Sequence, residues 1–80
     1  MTSDQLRQAL SELNGERDAT FAVTNMPEQL AYLTVNRAML VPDEPDHLIK
    51  VTDGQSIYIV DAERVAWVRI GPGKKIRTGA

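Results

Sequence analysis

Four side chains of the types that bind metal ions lie close together in the middle of the chain. They are Asp43, Glu44, Asp46 and His47. Carboxylate oxygens suit calcium and magnesium, but an EF-hand loop also needs ligands at alternating positions, a glycine and a terminal glutamate. This segment lacks that spacing, and prolines at positions 42 and 45 stiffen it. We interpret it as a solvated acidic loop without a metal, and His47 as the first residue of a strand.

Groups that could perform catalysis are scarce. His47 is the only histidine, cysteine is absent, and no Gly-x-Ser-x-Gly, phosphate-binding loop or dinucleotide fingerprint occurs. A nucleophile, a general base and an orienting group therefore cannot be assembled from a recognisable motif. The sequence predicts a protein that is not an enzyme and that needs no cofactor.

The basic residues are distributed unevenly. Lys74, Lys75 and Arg77 lie in the last seven positions, so residues 1 to 73 carry six basic and eleven acidic groups. A body with that net charge of −5 repels phosphate backbones at long range, and the basic run lacks aromatic residues for base stacking. We predict a flexible basic tail at residues 74 to 80, and general nucleic-acid binding is not favoured.

The length of the chain constrains its stability. Eighty residues fit one small domain, predicted at residues 1 to 73, and such a domain buries only about 60 to 65% of its unfolded surface. Without cysteine, the remaining routes to stability are tight packing and oligomerisation. The chain has neither a secretory leader pattern nor the roughly 20 apolar residues of a membrane span. We expect a soluble, cytoplasmic protein.

Residues 3 to 14 have the pattern of one amphipathic helix. Its apolar residues recur at helical spacing and are Leu6, Ala9, Leu10 and Leu13. Thr2 with Gln5 has the form of a capping box, and Asn14-Gly15 tolerates a left-handed C-terminal cap. Because about three turns of helix are marginal alone in water, the leucine stripe must pack against the rest of the domain.

The remainder of the chain has the periodicity of β-strands. Strands are predicted at residues 19–24, 30–35, 38–41, 47–52, 55–60 and 65–70. Asn36-Arg37 forms a turn or a bulge, so residues 30–41 are either two strands or one bent strand. The fold class is α+β and mainly β: an N-terminal helix followed by a strongly bent antiparallel sheet, or small barrel, of about five strands, Sm-like or SH3-like.

The dipeptide Asp53-Gly54 separates two of these strands and predicts a two-residue hairpin turn. In that register Thr52 pairs with Gln55 and Ile49 pairs with Tyr58. One face of the hairpin then carries Leu48, Ile57 and Ile59, and the other carries Ile49, Val51, Tyr58 and Val60. Both faces are apolar, whereas a one-sided antiparallel sheet would alternate cleanly between apolar and polar residues.

One short helix can cover only one of those faces. The sheet must therefore close on itself or be covered by a second molecule, which predicts a homo-oligomer or another protein partner. The candidate interface residues are Ile49, Val51, Tyr58, Val60 and Trp67. Tyr58 and Trp67 could also form a shelf for a ligand, but we interpret them as core or interface residues. The predicted core or interface residues outside the helix are Phe21, Val23, Leu33, Ile49, Val51, Ile57, Ile59, Val65 and Val68.

Two segments resemble motifs of the Sm-like proteins, which include the Sm, LSm and bacterial Hfq-type proteins. Residues 57 to 70, a strand, a tight turn and a strand, are similar to that family's second motif, and residues 33 to 40 are similar to its first. Asn36 occupies the place of the family's aspartate, Leu40 that of its asparagine, and Asp61-Ala62 that of an arginine-glycine pair. These departures fall on positions that contact RNA in the family. The resemblance therefore implies a ring or other oligomer, joined through edge strands, more than it implies RNA binding.

Two functions follow as expectations. The leading one is a non-enzymatic, self-assembling protein-interaction module that uses the second apolar face of the hairpin region. The alternative is an Sm-like RNA-binding protein. Its nucleic-acid-binding residues would be Asn36, Arg37, Lys74, Lys75 and Arg77. A third role, as an antitoxin-like or immunity-like partner protein, has no particular residue in its favour.

Overall fold

The computed structural model describes residues 1–71, which form one α-helix and five β-strands. The elements are α1 (Ser3–Leu10), β1 (Arg17–Val23), β2 (Tyr32–Leu40), β3 (Ile49–Thr52), β4 (Ile57–Val60) and β5 (Val65–Ile70), with 3-10 turns at Glu28–Leu30 and Ala62–Arg64. The predicted α+β class, a helix followed by an antiparallel five-stranded sheet, is confirmed. The predicted tail and its Lys74, Lys75 and Arg77 lie outside the described residues. No helix within residues 1–71 is long and apolar enough to cross a membrane.

The helix begins as its sequence predicts and ends earlier. Thr2 and Gln5 form the capping box, each side chain accepting a hydrogen bond from the other residue's backbone N–H. At the other end, the hydroxyl and the backbone N–H of Ser11 both donate to the Gln8 carbonyl, at 2.7 and 3.2 Å, and close a tighter turn. The helix therefore stops at Leu10 instead of residue 14. The following turn still buries Leu13, which is 7% exposed.

The five strands form one antiparallel sheet in the order β4-β3-β2-β1-β5, and the sheet does not close into a barrel. Within residues 30–41, Tyr32–Leu40 form one bent strand, β2, which follows the 3-10 turn at Glu28–Leu30. Of the two alternatives, one bent strand is therefore confirmed. A bulge bends β2, because Asn36 and Arg37 together oppose the single residue Asp18 of β1. Arg37 adopts the left-handed φ of 51°, and its backbone N–H donates to the Asp18 carboxylate at 2.9 Å.

The hairpin between β3 and β4 has a longer turn than its sequence predicts. Thr52 pairs with Ile57 and Ile49 pairs with Val60, so four residues rather than two connect the strands. Gly54 has φ 97°, but Asp53 does not adopt the positive φ that a type I′ turn requires. The pairing is displaced by two residues along β4. Because side chains alternate with a period of two, this displacement leaves the predicted division into two faces intact.

The core lies between α1 and the concave face of the sheet. Its largest fully buried side chains are Phe21, Leu6, Leu10, Ile49, Val35 and Val51. Among the other predicted core residues, Val65 is buried and Val23, Leu33 and Val68 are half-buried. Ile57 and Ile59 are each 62% exposed, so they do not belong to the core of the single chain.

Candidate functional site

The helix covers the hairpin face that was predicted to be free. Ile49, Val51 and Val60 are 2%, 0% and 8% exposed and belong to the core. They cannot form a contact surface in the folded chain, and Tyr58 packs against the same core. The opposite face remains open. It carries Leu48, Ile57 and Ile59, which are 44%, 62% and 62% exposed, and we call these three residues the β4 patch.

The β4 patch borders an unclosed side of the sheet. Within the described residues, β4 and β5 are the two terminal strands of the order, so each pairs with a neighbour along one edge only. A cavity of about 230 Å³ lies between β4 and the core, with Phe21, Val23, Leu33 and Val60 in its lining. A second cavity of about 320 Å³, towards the start of α1, shares Ile59, Val60 and Asp61 with the first. The edge strand β4 is thus both poorly covered and apolar.

A second exposed surface lies on the outer face of β2, β1 and β5. Ala22 of β1 pairs with Tyr32 of β2 on one side and with Trp67 of β5 on the other. The two rings lean towards each other over the small alanine side chain, with centroids 6.0 Å apart and planes at 45°. Ala22 is only 7% exposed, while Tyr32 and Trp67 are 58% and 46% exposed. Trp67 is therefore on the surface, and its aromatic partner is Tyr32 rather than Tyr58.

The next row of the same face is polar. Thr20 pairs with Thr34 and with Arg69, and the two threonine hydroxyl oxygens are 3.2 Å apart. Arg69 is exposed. We call the surface formed by Tyr32, Trp67, Thr20, Thr34 and Arg69 the outer aromatic face.

The bulge places two predicted nucleic-acid-binding residues beside the end of β5. Asn36 and Arg37 are exposed, and the backbone N–H of Arg37 donates to the carboxylate of Asp18. The backbone carbonyl of the same aspartate accepts a 2.6 Å hydrogen bond from the N–H of Gly71. A Cβ atom at position 71 would lie 3.2 Å from that carbonyl oxygen, so this close approach favours glycine. Arg37 and Gly71, the last described residue, thus both bond to Asp18 and lie on either side of it.

The acidic loop is engaged in ion pairs instead of pointing freely into solvent. The Lys50 ammonium donates to Glu44 and, at 2.9 Å, to Asp46, and Arg7 lies 3.4 Å from Asp43. The hydrogen bond to Glu44 is the largest cause of the raised pKa of Lys50, and the bond from Lys50 is the largest cause of the lowered pKa of Asp46. Such partly exposed pairs each contribute little to stability. They fix the path of the loop between β2 and β3.

His47 lies in this loop and not in a strand. It has φ 57°, β3 begins at Ile49, and its Nδ1 atom is 3.3 Å from both oxygens of Asp43. Within residues 1–71, no three residues of the metal-binding types are grouped so as to hold an ion.

The turn between β3 and β4 is organised by one carboxylate. Asp53 accepts hydrogen bonds from the N–H groups of Gln55 and Ser56 at 2.9 and 2.8 Å, and from the Tyr58 hydroxyl at 3.0 Å. The bond from Ser56 is the largest cause of the lowered pKa of Asp53. The bond to Asp53 in turn raises the pKa of the Tyr58 hydroxyl. Sequence analysis identified the turn but not this network, which needs the four-residue register.

We expect Asp53→Asn to lower the thermal midpoint at neutral pH and to flatten its pH dependence in acid. A carboxyl whose pKa is depressed by folding stabilises the native state above its unfolded pKa and loses that contribution as the pH falls. The difference in thermal midpoint between wild type and variant should therefore become smaller as the pH falls through and below 3.8, the usual pKa of an aspartate side chain. Circular dichroism melts across this range measure it. Glu28→Gln is the control, and equal curves for D53N and wild type would contradict the assignment.

The fold and its surfaces define the class of this molecule: a small α+β domain with one open, bent antiparallel sheet. An apolar edge strand and an outward-facing aromatic pair are its distinguishing surface features. Searches of protein-family models, curated proteins and solved structures find no match to the chain.

Proposed function

We propose that this chain is a non-enzymatic, self-assembling protein-interaction module with an Sm-like fold. In the assembly, the free edge of β4 in one molecule pairs with the free edge of β5 in the next. The observation that carries the proposal is the exposure of Ile57 and Ile59, each 62%, on a strand that within residues 1–71 pairs along one edge only. Soluble proteins ordinarily shorten, charge or cover such edges because they are templates for pairing with another chain.

The two edges favour head-to-tail assembly. Because β4 and β5 are different strands, a contact between them joins unlike surfaces of two copies and leaves one free edge at each end of the pair. Repetition of this contact produces a closed ring if the rotation between neighbours closes, and a filament if it does not. Each added copy covers the apolar residues of β4 and the cavity beside Val60. A domain of this size gains most from such cover, since its own core is small.

The Sm-like resemblance is supported in outline. An N-terminal helix, five short strands, a bend in β2 and a three-residue 3-10 turn, Ala62–Arg64, before the last strand agree with the pattern from which it was inferred. An edge-joined oligomer is what that resemblance implies. A different protein that adds a strand to one of these edges is the competing kind of partner.

We expect wild type to be an oligomer at micromolar concentration and Ile57→Lys to be a folded monomer. A lysine on the free strand introduces a charge where an incoming strand would pack. Position 57 is chosen because Ile57 pairs with Thr52, whereas Ile59 pairs with Lys50 and a second lysine there would repel it. Light scattering after size exclusion measures the mass, and circular dichroism checks the fold.

Gln8→Lys is the matched control for this experiment. Gln8 is exposed on α1, outside the sheet, and its replacement makes the same change of charge. It should leave the mass of the oligomer unchanged. A wild-type chain that is monomeric at high micromolar concentration would remove the basis of the proposal, and so would an Ile57→Lys variant with wild-type mass.

RNA binding is a second candidate function, and one observation favours it. Arg37 and the end of β5 lie side by side across Asp18, and in the sequence Lys74, Lys75 and Arg77 follow shortly after that point. Arg37 thus lies beside Gly71, and the basic segment follows Gly71 in the sequence. Phosphate binding by clustered arginine and lysine is the sequence-independent part of nucleic-acid recognition.

A further inference from the structure

We propose that the outer aromatic face binds single-stranded nucleic acid, with bases stacking on Trp67 and Tyr32 and a phosphate held by Arg69. The inference rests on the second candidate function, nucleic-acid binding, but locates it on residues that were not predicted to take part. Neither aromatic ring is used by the core or by the free edge of β4.

The shape of the face suits stacking. Tyr32 and Trp67 keep 58% and 46% of their surface exposed, although aromatic side chains usually bury most of their area. The two rings contact each other above Ala22 and together present one exposed aromatic surface on which a base can stack. Aromatic side chains on an open antiparallel sheet are a known platform for unstacked bases, because every base offers a π-face.

Arg69 gives the outer aromatic face a group that can bind a phosphate. Arg17 of β1 does not contribute, because it pairs with the buried Ala38 on the core side and its guanidinium lies 3.4 Å from Glu12. Asp18, two residues before Thr20, is the one acidic residue of β1, β2 and β5. Within residues 1–71, no carboxylate lies within ion-pair distance of Arg69. Its guanidinium is therefore available to a ligand phosphate.

The spacing of the two rows also fits. Trp67 and Arg69 are two residues apart on the same face of β5, a separation of roughly 7 Å along the strand. A base on the tryptophan ring thus leaves the neighbouring phosphate within reach of the long arginine side chain. Thr20 and Thr34 add hydroxyl groups in the same row as Arg69. A proline-rich peptide could also lie against aromatic rings, but it would leave Arg69 without a counter-charge.

The fluorescence of Trp67 tests the proposal directly, because the chain contains one tryptophan. Titration of the full-length protein with a short, fluorescently labelled oligouridylate should quench the Trp67 emission as the anisotropy of the label rises. Tyr32→Ala should lower the affinity about tenfold or more, which is the usual loss for one stacked base. Equal affinities for Tyr32→Ala and wild type would overturn the proposal.

Arg69→Gln and Arg64→Gln form a matched pair for the phosphate contact. Both arginines are exposed. Arg64 directly precedes β5 and Arg69 lies near the other end of that strand, so either change removes the same charge at a different place. Arg69→Gln should weaken binding and lower the slope of log affinity against log salt by about one unit. Arg64→Gln should leave the slope unchanged. Equal effects of the two variants would overturn the assignment of the phosphate to Arg69.

Separate outcomes distinguish this site from nucleic-acid binding in general. If the label anisotropy rises while the Trp67 emission stays constant, RNA binding stands and the outer aromatic face is overturned as its site. If neither the anisotropy nor the Trp67 emission changes, both RNA binding and its location on the outer aromatic face are wrong. The triple variant Lys74→Gln, Lys75→Gln, Arg77→Gln should still quench Trp67 at higher oligonucleotide concentration, and complete loss of quenching would assign binding to the tail. Quenching by a neutral proline-rich peptide, without any by the oligonucleotide, would also overturn the proposal.

Discussion

Replacing Phe21 with alanine should leave much of the protein unfolded under conditions in which the wild type is folded. Phe21 is fully buried in the middle of β1 and lines the cavity beside β4. Truncation of a buried phenylalanine costs about 3 to 5 kcal/mol. A chain of 80 residues has a total unfolding free energy of roughly 4 to 12 kcal/mol. Urea unfolding followed by circular dichroism measures the difference.

Tyr32→Ala is the control for that prediction because it removes an aromatic ring that is 58% exposed. Its free energy of unfolding should fall by about 0.5 to 1.5 kcal/mol, because only the contact with Trp67 is lost. Both variants must be compared at one protein concentration, since assembly would stabilise the folded state by mass action. A Phe21→Ala variant as stable as Tyr32→Ala would mean that the core is not centred on β1.

The fold class followed from the sequence because its signals are local. Helix capping by Thr2 and Gln5 and strand periodicity depend on near neighbours in the chain, and these elements form as predicted. The boundaries were less accurate because single side-chain hydrogen bonds to nearby backbone groups decide them, and periodicity does not show such bonds. Ser11 ends the helix through bonds with Gln8, and the Asp53 carboxylate holds a four-residue turn where a two-residue turn was predicted.

The choice of the free face could not be made from the hairpin alone. The sequence divides Ile49 and Val51 from Ile57 and Ile59 correctly, but nothing in the hairpin says which side the helix will cover. That depends on the bend of β2 and on the contact of α1 with β3. The interface predicted at Ile49, Val51 and Val60 is therefore core, and the exposed apolar residues are those on the other side.

The outer aromatic face required the pairing of strands far apart in sequence. Tyr32 and Trp67 meet only because β1 lies between β2 and β5 with Ala22 in register with both. A single sequence gives no register for such long-range pairs. Arg37 was a candidate nucleic-acid-binding residue because of its position in the motif. That it lies next to the end of β5 could not be predicted, because this proximity depends on hydrogen bonds from both strands to Asp18.

Mixing two assembly-defective variants should restore a defined complex of two chains. Ile57→Lys damages the free edge of β4, and Ala66→Lys damages the free edge of β5, where Ala66 is exposed and has no register partner on β1. Each variant alone should be monomeric. In the mixture, the intact β5 of the first can pair with the intact β4 of the second. The resulting pair carries a damaged edge at each end, so it cannot extend.

A 1:1 complex in the mixture therefore follows only from a head-to-tail contact between β4 and β5. Light scattering should give twice the mass of one chain for the mixture and a single chain mass for each variant separately. If two copies instead joined through β4 and β4, Ala66→Lys alone would keep the wild-type mass and mixing would not rescue Ile57→Lys. That result would contradict head-to-tail pairing while leaving β4 as a contact surface. Adding Gln8→Lys to Ile57→Lys is the matched control: the mixed complex should still form, because the helix surface is not part of the contact.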